Sequence, residues 1–223
     1  MGIKENLNKI KEQIGSNKVK IIAVTKYATQ QQIFEAYNLG ICNFGESYIQ
    51  NALEKISQEY HNKDLIDPIK WHLIGRLQKN KVIYVVGKFC LIHSVDSIEL
   101  AELINKTANK KEIKQDILLQ VNISQEEQKT GFSKIELKNN FEKLLNLINI
   151  KLQGLMTIAP KTEDKESIKE CFLQLCDLKN ELNKQYSSEI SLNELSMGMS
   201  NDYLTAVECG STMVRIGRAL FKD

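Results

Sequence analysis

The chain has 223 residues, 42% of them hydrophobic and 26% charged, which is typical of one folded domain with a sizeable core. Thirty Lys and Arg residues against 28 Asp and Glu residues leave a formal net charge of +2. Because the two signs are interleaved, as in Lys110, Lys111 and Glu112, they indicate a solvated mixed surface. We therefore expect no nucleic-acid partner.

Export and membrane signals are not evident in the sequence. The amino terminus has an early acid, Glu5, and lacks the apolar segment of an export signal. The uncharged apolar stretches, such as residues 82–86, are too short to cross a bilayer. The five cysteines are scattered and lie in neither metal-ligand nor redox spacing, so we expect reduced thiols and no metal site. These features predict a cytoplasmic protein without a membrane partner.

Short apolar runs alternate with longer amphipathic segments along the chain, which is typical of βα units and a parallel sheet. A leading amphipathic segment, Leu7 to Ile14, predicts a helix before the first strand. Further helical spacing is clearest over residues 33–39, 137–148 and 167–186. Strands are predicted at residues 19–25, 41–44, 71–75, 91–95, 117–123, 152–158, 192–196 and 213–216.

Eight predicted strands are the number that a TIM-type barrel requires. Only Pro68 and Pro160 interrupt the pattern, and no Gly/Ser-rich or low-complexity linker divides the chain. A doubly wound open sheet is the competing architecture, but no Gly-x-Gly-x-x-Gly motif follows the first strand. We predict an α/β fold with one domain over residues 1–223, a TIM-type (β/α)8 barrel with an extra N-terminal helix.

Two segments at opposite ends of the chain carry the candidate chemistry. Lys26 follows the first strand, and a lysine at the carboxyl end of a strand is a candidate imine former. Residues 210–217, Gly-Ser-Thr-Met-Val-Arg-Ile-Gly, are rich in small and hydroxyl residues and form a candidate phosphate cradle. Barrel closure places the last strand beside the first, so Arg215 and Lys26 are expected to line one pocket. Together these features point to pyridoxal 5'-phosphate (PLP).

The loops after strands seven and eight commonly bind phosphate groups in such barrels. Here the first of these loops contains Ser196 and Ser200, and the second contains Gly217 and Arg218. Small residues let backbone N–H groups approach phosphate oxygens closely. Ser200 is also predicted to N-cap a helix through residues 202–206.

Nine short motifs, spread over nearly the whole chain, carry a resemblance to a known family. They are AVTK at 23–26, FGESYIQ at 44–50, WHLIG at 71–75, LQKNK at 77–81, QVNI at 120–123, KTG at 129–131, GLM at 154–156, LSMGMS at 195–200 and GSTMVRIG at 210–217. In this order and with this spacing they resemble the pyridoxal phosphate homeostasis protein family. Proteins of that family are similar to the barrel domain of alanine racemase without its second, β-rich domain.

The resemblance implies that Lys26 forms the internal aldimine with PLP and that Arg215 faces the pyridine nitrogen. It also implies that Ser200 and the backbone of Gly217 and Arg218 hold the phosphate. An aldimine requires a partly neutral lysine, and burial beside another cation lowers the pKa of an ammonium. Arginine keeps its proton, so it donates to the ring nitrogen without fully charging the ring. The weakened electron sink argues against demanding carbanion chemistry.

Three positions depart from the common family pattern. Ser47 stands where asparagine is usual, Arg218 where threonine or serine is frequent, and Lys222 where glycine is usual. Without a hydroxyl at position 218, the phosphate contact there falls to the guanidinium or to the backbone alone.

Lys129, His72 and Ser196 are secondary candidates. Lys129 lies in the loop after the fifth predicted strand, which opens on the same face as Lys26, and is a candidate for handling the cofactor. His72 follows the only tryptophan and either stacks near the cofactor ring or is a structural histidine. His61 and His93 have no evident partners in the sequence.

Three classes of function remain open. The leading class is a PLP-binding protein that buffers PLP and delivers it to PLP-dependent apoenzymes, with an indirect effect on amino-acid and keto-acid metabolism. The second is a PLP-dependent racemase or decarboxylase with weak activity, which needs acid/base groups on both faces of the substrate's α-carbon. Only Lys26 is a candidate for such a base, and the chain has no room after Asp223 for the racemases' second domain.

The third class is an interaction scaffold that no longer binds the cofactor. Between these classes, we expect the binding protein, no dedicated catalytic residue, and a monomer or weak dimer, because no large apolar interface is evident.

Overall fold

The computed structural model describes residues 2–59, 68–126 and 128–222. Its eight strands pair in chain order, each parallel to the next, and close into a barrel. The strands are β1 Lys20–Val24, β2 Asn43–Glu46, β3 Lys70–Leu73, β4 Leu91–Val95, β5 Gln115–Gln120, β6 Ile150–Met156, β7 Glu194–Met199 and β8 Met213–Ile216. The predicted TIM-type barrel is therefore confirmed.

Each strand is followed by a helix, and one further helix precedes the first strand as predicted. A short 3-10 turn, Lys79–Lys81, leads into the fourth helix. No helix in the described ranges is both long enough and apolar enough to span a membrane. The helices are α1 Ile3–Ile14, α2 Gln30–Asn38, α3 Ile49–Glu59, α4 Val82–Val85, α5 Ile98–Lys110, α6 Lys134–Leu145, α7 Lys165–Gln185, α8 Tyr203–Glu208 and α9 Arg218–Phe221.

Barrel closure joins the two ends of the chain. β1 pairs with β8 in parallel, with Ile22 opposite Arg215 and Ala23 opposite Ile216. Because the two strands run in the same direction, their carboxyl ends open on the same face. The predicted neighbourhood of the Lys26 turn and the terminal segment is therefore confirmed at the level of strand pairing.

The strands bury side chains on both faces. Outward-facing residues such as Ala23, Phe44 and Ile92 pack under the helices in the main core. A small apolar cluster lies apart from this core and consists of Ile22, Leu91, Leu118, Met156 and Met213. Side chains alternate between the two faces along each strand, so residues at this spacing fill the barrel interior. The rest of that interior contains polar groups, which are described with the site.

Helix α1 packs against the helices α2, α8 and α9 with an apolar stripe. Its buried residues recur at helical spacing, with Ile3, Leu7 and Ile10 among them. The buried amide of Asn6 donates to the carbonyl oxygens of Leu220 and Lys222, each at 3.1 Å. The first helix thereby satisfies carbonyl groups at the end of the last one.

Two predicted strands were displaced toward their amino ends. The predicted strand at residues 41–44 is observed as β2 at 43–46, and that at residues 192–196 as β7 at 194–199. Ile41 and Leu192 are buried, but they pack in the preceding loops. The carboxyl ends of both strands instead carry polar or small residues such as Glu46 and Gly198, which an apolar pattern does not detect.

Candidate cofactor site

Lys26 lies in the turn that leaves the barrel at the end of β1. Thr25 is fully buried, and its backbone N–H donates to the Gly45 carbonyl at 3.0 Å. The chain then turns outward, so the side chain of Lys26 is exposed and its Nζ lies 5.0 Å from the ring centroid of Tyr27. The expectation of a buried Lys26 beside another cation was therefore wrong. An exposed amine is instead directly accessible to an aldehyde.

A buried ion pair holds this turn from below. Glu46 at the end of β2 is fully buried and forms a salt bridge with Lys55 of α3. Glu46 also accepts from the Thr25 hydroxyl at 3.0 Å and from the Ser47 backbone at 3.0 Å. The Lys55 ammonium donates in addition to the Thr25 carbonyl at 2.7 Å. The hydroxyl and the carbonyl of Thr25, the residue that precedes Lys26, are thus both held by this ion pair, a condition for a precisely placed nucleophile.

Arg215 is buried in the barrel interior among neutral acceptors. Its Nη1 donates to the Ser196 carbonyl at 2.8 Å and to the Ser196 hydroxyl at 2.7 Å, and its Nη2 donates to the Thr157 carbonyl at 2.9 Å. Among the described residues no carboxylate forms an ion pair with this guanidinium, and Asp202 acts on it only at longer range. Burial lowers the pKa of Arg215 to about 10, and Asp202 opposes that shift, so the group stays charged at neutral pH.

A continuous row of polar side chains leads from Arg215 across the interior, and we call it the interior relay. The hydroxyl of Ser196 lies 2.8 Å from Nδ1 of His93, and Nε2 of His93 lies 2.9 Å from Nδ1 of His72. Nε2 of His72 lies 3.1 Å from Oδ1 of Asn43 on β2. His93 therefore has two partners, contrary to the expectation from sequence, whereas His61 lies outside the described residues.

The candidate phosphate-binding residues meet where β7 and β8 end. The Ser200 hydroxyl accepts from the Ala219 backbone at 3.2 Å, in the first turn of α9. The predicted N-cap role of Ser200 for α8 was wrong, since α8 begins at Tyr203 with Asp202 at its N-cap position. The backbone N–H groups of Ser200, Gly217 and Arg218 have no hydrogen-bond acceptor within the described ranges.

A cavity of about 620 Å³ opens on the α1 side of Ser200 and Arg218, and neither Lys26 nor Arg215 lines it. Ser200 and Arg218 both line it, together with three lysines and one acid, which are Lys9, Lys165, Lys222 and Asp202. The side chain of Arg218 is exposed, and its one hydrogen bond to a described residue is a long one, 3.5 Å, to the Asn201 side chain. An excess of cations around free N–H donors favours an anionic group.

Gly198 shapes the β7 end of this site. One extra residue of β7 lies between the pairs Ser196–Met213 and Met199–Arg215, which marks a bulge. Gly198 has φ +92°, and a Cβ atom there would lie 2.5 Å from the Cβ of Ala206. Only glycine fits this bend, which turns the chain toward Ser200.

Lys129 lies in the loop after β5, at the same end of the barrel. Its ammonium forms an ion pair with Glu126 and donates to the Ala159 carbonyl, just after β6, at 2.9 Å. Hydrogen bonds from Lys129 and Ser124 hold the pKa of the Glu126 carboxyl below its usual value. Lys129 is thus committed to partners, and any reaction of its amine requires those contacts to break.

Comparison with known proteins places this barrel in a family. Residues 2–223 match the family model described as alanine racemase, N-terminal domain. A pyridoxal phosphate homeostasis protein of Aquifex aeolicus (strain VF5) is 42% identical over 228 residues, which cover 98% of this chain and 97% of the relative. This chain belongs to the pyridoxal phosphate homeostasis protein family.

Two solved structures of PipY from Synechococcus elongatus PCC7942 are similar to this family member. The structure without PLP superposes with a TM-score of 0.91 at 36% identity and covers 98% of this chain and 99% of PipY. The structure with PLP bound superposes with a TM-score of 0.89 at 34% identity over the same shares. The resemblance read from the nine motifs is thus confirmed.

For this member of the family, the sequence identified candidate site residues after β1 and along β8, but not the buried residues that hold them in place. The Glu46–Lys55 pair and the partners of His93 were both missed. Glu46 stood in one of the nine motifs, and an acid that closes a buried strand is a signal that could have identified it. Lys55 lies in the middle of α3 and carried no such signal.

Proposed function

We propose that this member of the pyridoxal phosphate homeostasis protein family binds PLP as a Schiff base on Lys26 and buffers and delivers the cofactor in the cytoplasm. The observation that carries the proposal is the pairing of β1 with β8. By this register the turn of Lys26 follows β1 at the same end of the barrel at which Gly217 and Arg218 follow β8, which supports one shared ligand. The name of the Aquifex relative and the PLP-bound PipY structure support the proposal.

Arg215 is the proposed partner of the pyridine nitrogen. Three of its N–H donors are used on Ser196 and Thr157. Every buried side-chain nitrogen or oxygen among the described residues has a hydrogen-bond partner. Nε of Arg215 has none, so it is accessible rather than buried and can donate to a ligand. A donor that keeps its own proton leaves the ring weakly electron-withdrawing, which suits storage of PLP better than carbanion chemistry.

The phosphate is assigned to the backbone of Gly217 and Arg218 and to Ser200. The free N–H groups at these positions supply directed donors, and the cations around the cavity supply a favourable potential. Because Arg218 is exposed and nearly without contacts, its guanidinium can add a charge-assisted hydrogen bond.

Delivery to PLP-dependent apoenzymes is the proposed use of the stored cofactor, with Lys129 assisting at the mouth of the barrel. The Lys129→Ala variant is expected to release or transfer PLP more slowly, because the second amine near the exit is lost. Transfer to an apoenzyme is measured by the recovery of that enzyme's activity. Unchanged release and transfer kinetics would remove this role of Lys129.

We propose that the protein acts as a monomer or weak dimer. Its large exposed apolar side chains are distributed over separate elements, with Tyr27 after β1, Ile83 on α4, Ile135 on α6 and Leu173 on α7. Such scattered residues are normal on the surface of a monomer.

The proposed cytoplasmic location is supported by the five cysteines. They are free thiols, which is typical of reducing compartments.

The test is the absorption spectrum of the purified protein with PLP before and after borohydride reduction, followed by peptide mapping. The expected result is a visible imine band that reduction removes, with the label on Lys26. Lys26→Ala is expected to lose the band. Lys161→Ala is the matched control, because Lys161 is an exposed lysine in the loop after β6.

Label on another amine, or none, would contradict the proposal. The same preparations should be assayed for D-amino-acid formation and for decarboxylation. Turnover that depends on Lys26 and is fast relative to PLP exchange would favour a racemase or decarboxylase over a carrier.

A further inference from the structure

The donors and acceptors of the interior relay fit one direction of hydrogen bonding. Arginine has only donors, so the Ser196 hydroxyl oxygen accepts from Arg215. The hydroxyl hydrogen then needs an acceptor, and within the described ranges Nδ1 of His93 is the one in reach. His93 therefore carries its hydrogen on Nε2 and donates it to Nδ1 of His72.

The same reasoning assigns the ring hydrogen of His72. With Nδ1 of His72 accepting, the ring hydrogen of His72 lies on Nε2 and is donated to Oδ1 of Asn43. A relay running in the opposite direction would make Ser196 accept from both Arg215 and His93. Its own hydrogen would then have no acceptor among the described residues, which is costly at a fully buried position.

We propose that the interior relay is a one-way chain of positioning residues that fixes the guanidinium of Arg215 for the cofactor ring, with His93 and His72 both as neutral Nε2–H tautomers. The relay extends from the cofactor site to Asn43 of β2. The part that concerns the ring rests on the proposed function.

The surroundings of the two imidazoles support their neutral state. Burial, reinforced by the charges of Lys20 and Lys70, lowers the pKa of His72 to about 3. Burial, with His72 and Arg215 nearby, lowers the pKa of His93 well below its ordinary value. The lysines lie on β1 and β3 and the arginine on β8, so cations face the pair from three strands. A proton on Nδ1 of His72 would set donor against donor, and one on Nδ1 of His93 would leave the Ser196 hydrogen without an acceptor among the described residues.

The direct test uses the protein without PLP. Long-range ¹H–¹⁵N spectra of the histidine side chains distinguish Nε2–H from Nδ1–H rings, and His61→Gln assigns the third histidine. His72 and His93 are expected to show the Nε2–H pattern and to stay neutral at pH 5. An Nδ1–H ring, or ordinary titration near pH 6.5, would overturn the proposed direction.

The second test connects the relay to PLP affinity. Ser196→Ala removes the group that joins His93 to Arg215, and it is expected to weaken PLP binding about fivefold, the equivalent of one net hydrogen bond. Ser94→Ala is the matched control, since Ser94 is equally buried but donates to the Gly75 carbonyl outside the relay. It is expected to bind PLP as the wild type does.

A pair of substitutions at position 93 separates positioning from packing. His93→Asn keeps an acceptor near the place of Nδ1, whereas His93→Leu keeps only the bulk. Recovery of affinity in the asparagine variant but not in the leucine variant supports the relay. Equal affinity of both variants and of Ser196→Ala with the wild type would overturn it. A wild-type protein that binds no PLP would instead refute the proposed function, while the spectra without PLP still decide the tautomers.

Discussion

Glu46 and Arg215 are both buried charged residues, but within the described ranges only Glu46 contacts a partner of opposite charge. The carboxylate is neutralised by Lys55 and by two further donors, so it serves the structure of the turn before Lys26. Among the described residues the guanidinium donates to neutral acceptors only, and on the proposed function its remaining donor serves the ring nitrogen of the cofactor. Glu46 therefore stabilises the turn before Lys26, whereas Arg215 is available to a ligand.

Replacing Lys55 by methionine tests the supporting role. The change leaves the fully buried carboxylate of Glu46 without its counter-charge, and it is expected to lower the free energy of unfolding by about 3 kcal/mol. Urea unfolding of the protein without PLP measures this loss. Lys106→Met on α5 is a control that has no salt bridge with a described residue. Equal stability of Lys55→Met and the wild type would refute the role of the pair.

The buried histidines predict a loss of stability in mild acid. Their folded pKa values lie below the unfolded value near 6.5, so the unfolded state binds more protons as the pH falls. The stabilisation is present above pH 6.5 and is lost progressively down to about pH 3 for His72. Between pH 6 and 5 the free energy of unfolding should fall by about 1 kcal/mol per histidine.

Urea unfolding at several pH values measures this slope. His72→Gln removes one titrating group and should make the slope shallower in the same range. Arg215, which faces His93, has a pKa lowered by burial to about 10, so it keeps its charge in this range and adds no slope of its own. A slope that is the same in the variant and the wild type would show that His72 is protonated alike in both states.

At the scale of the elements, the carboxyl end of β7 is shaped by Gly198. The bulge at Gly198 turns the strand end toward Ser200, and a Cβ there would meet Ala206 of α8. Gly198→Ala is expected to destabilise the protein by about 2 kcal/mol or more through backbone strain and overpacking. On the proposed function, PLP affinity should fall with it, because the strand end leads into the loop proposed to bind the phosphate.

Gly40 is a control that separates the effect of the contact with Ala206 from the effect of backbone strain. Gly40 has φ +89°, close to that of Gly198, but a Cβ there meets nothing within 4 Å. Gly40→Ala should therefore show the strain alone, with PLP affinity unchanged. Thermal unfolding of both variants gives the comparison, and equal losses would mean that the α8 contact is unimportant.

The strand bounds were predicted accurately where a strand is buried along its whole length, and less accurately where its end carries polar or small residues. β4 and β8 were predicted with their observed bounds, Leu91–Val95 and Met213–Ile216, because both are buried along their whole length. The carboxyl ends of β2 and β7, which carry polar or small residues such as Glu46 and Gly198, were missed, and these ends form part of the candidate site. The relay depends on which inward side chains face each other across the barrel, which no local pattern encodes for His72 and His93.

At the scale of the whole molecule, hydrogen bonds join the first helix, α1, to residues in and just after the last helix, α9. Asn6 of α1 donates to two carbonyl oxygens at the end of the chain, across more than two hundred residues of sequence. These bonds support α9, whose first turn donates to Ser200 of the candidate phosphate site. The stability of the outer helix pair and the shape of the site are therefore connected.

Asn6→Ala measures this connection. Loss of both hydrogen bonds is expected to lower the free energy of unfolding by about 1–3 kcal/mol, since two carbonyl groups lose their donor. Asn8→Ala on the exposed side of the same helix is the control and should change little. Hydrogen exchange of the α9 amides should accelerate in Asn6→Ala alone. Unchanged exchange would mean that α9 is held by packing rather than by Asn6.

The pairing of the last strand with the first has a consequence for biosynthesis. A nascent polypeptide emerging from the ribosome displays Lys26 early, whereas Arg215 and Gly217 of the candidate site emerge much later. Until that strand inserts, the growing chain has no shaped receptacle for an aldehyde. On the proposed function, the vitamin is therefore captured by finished molecules and not by those still being translated.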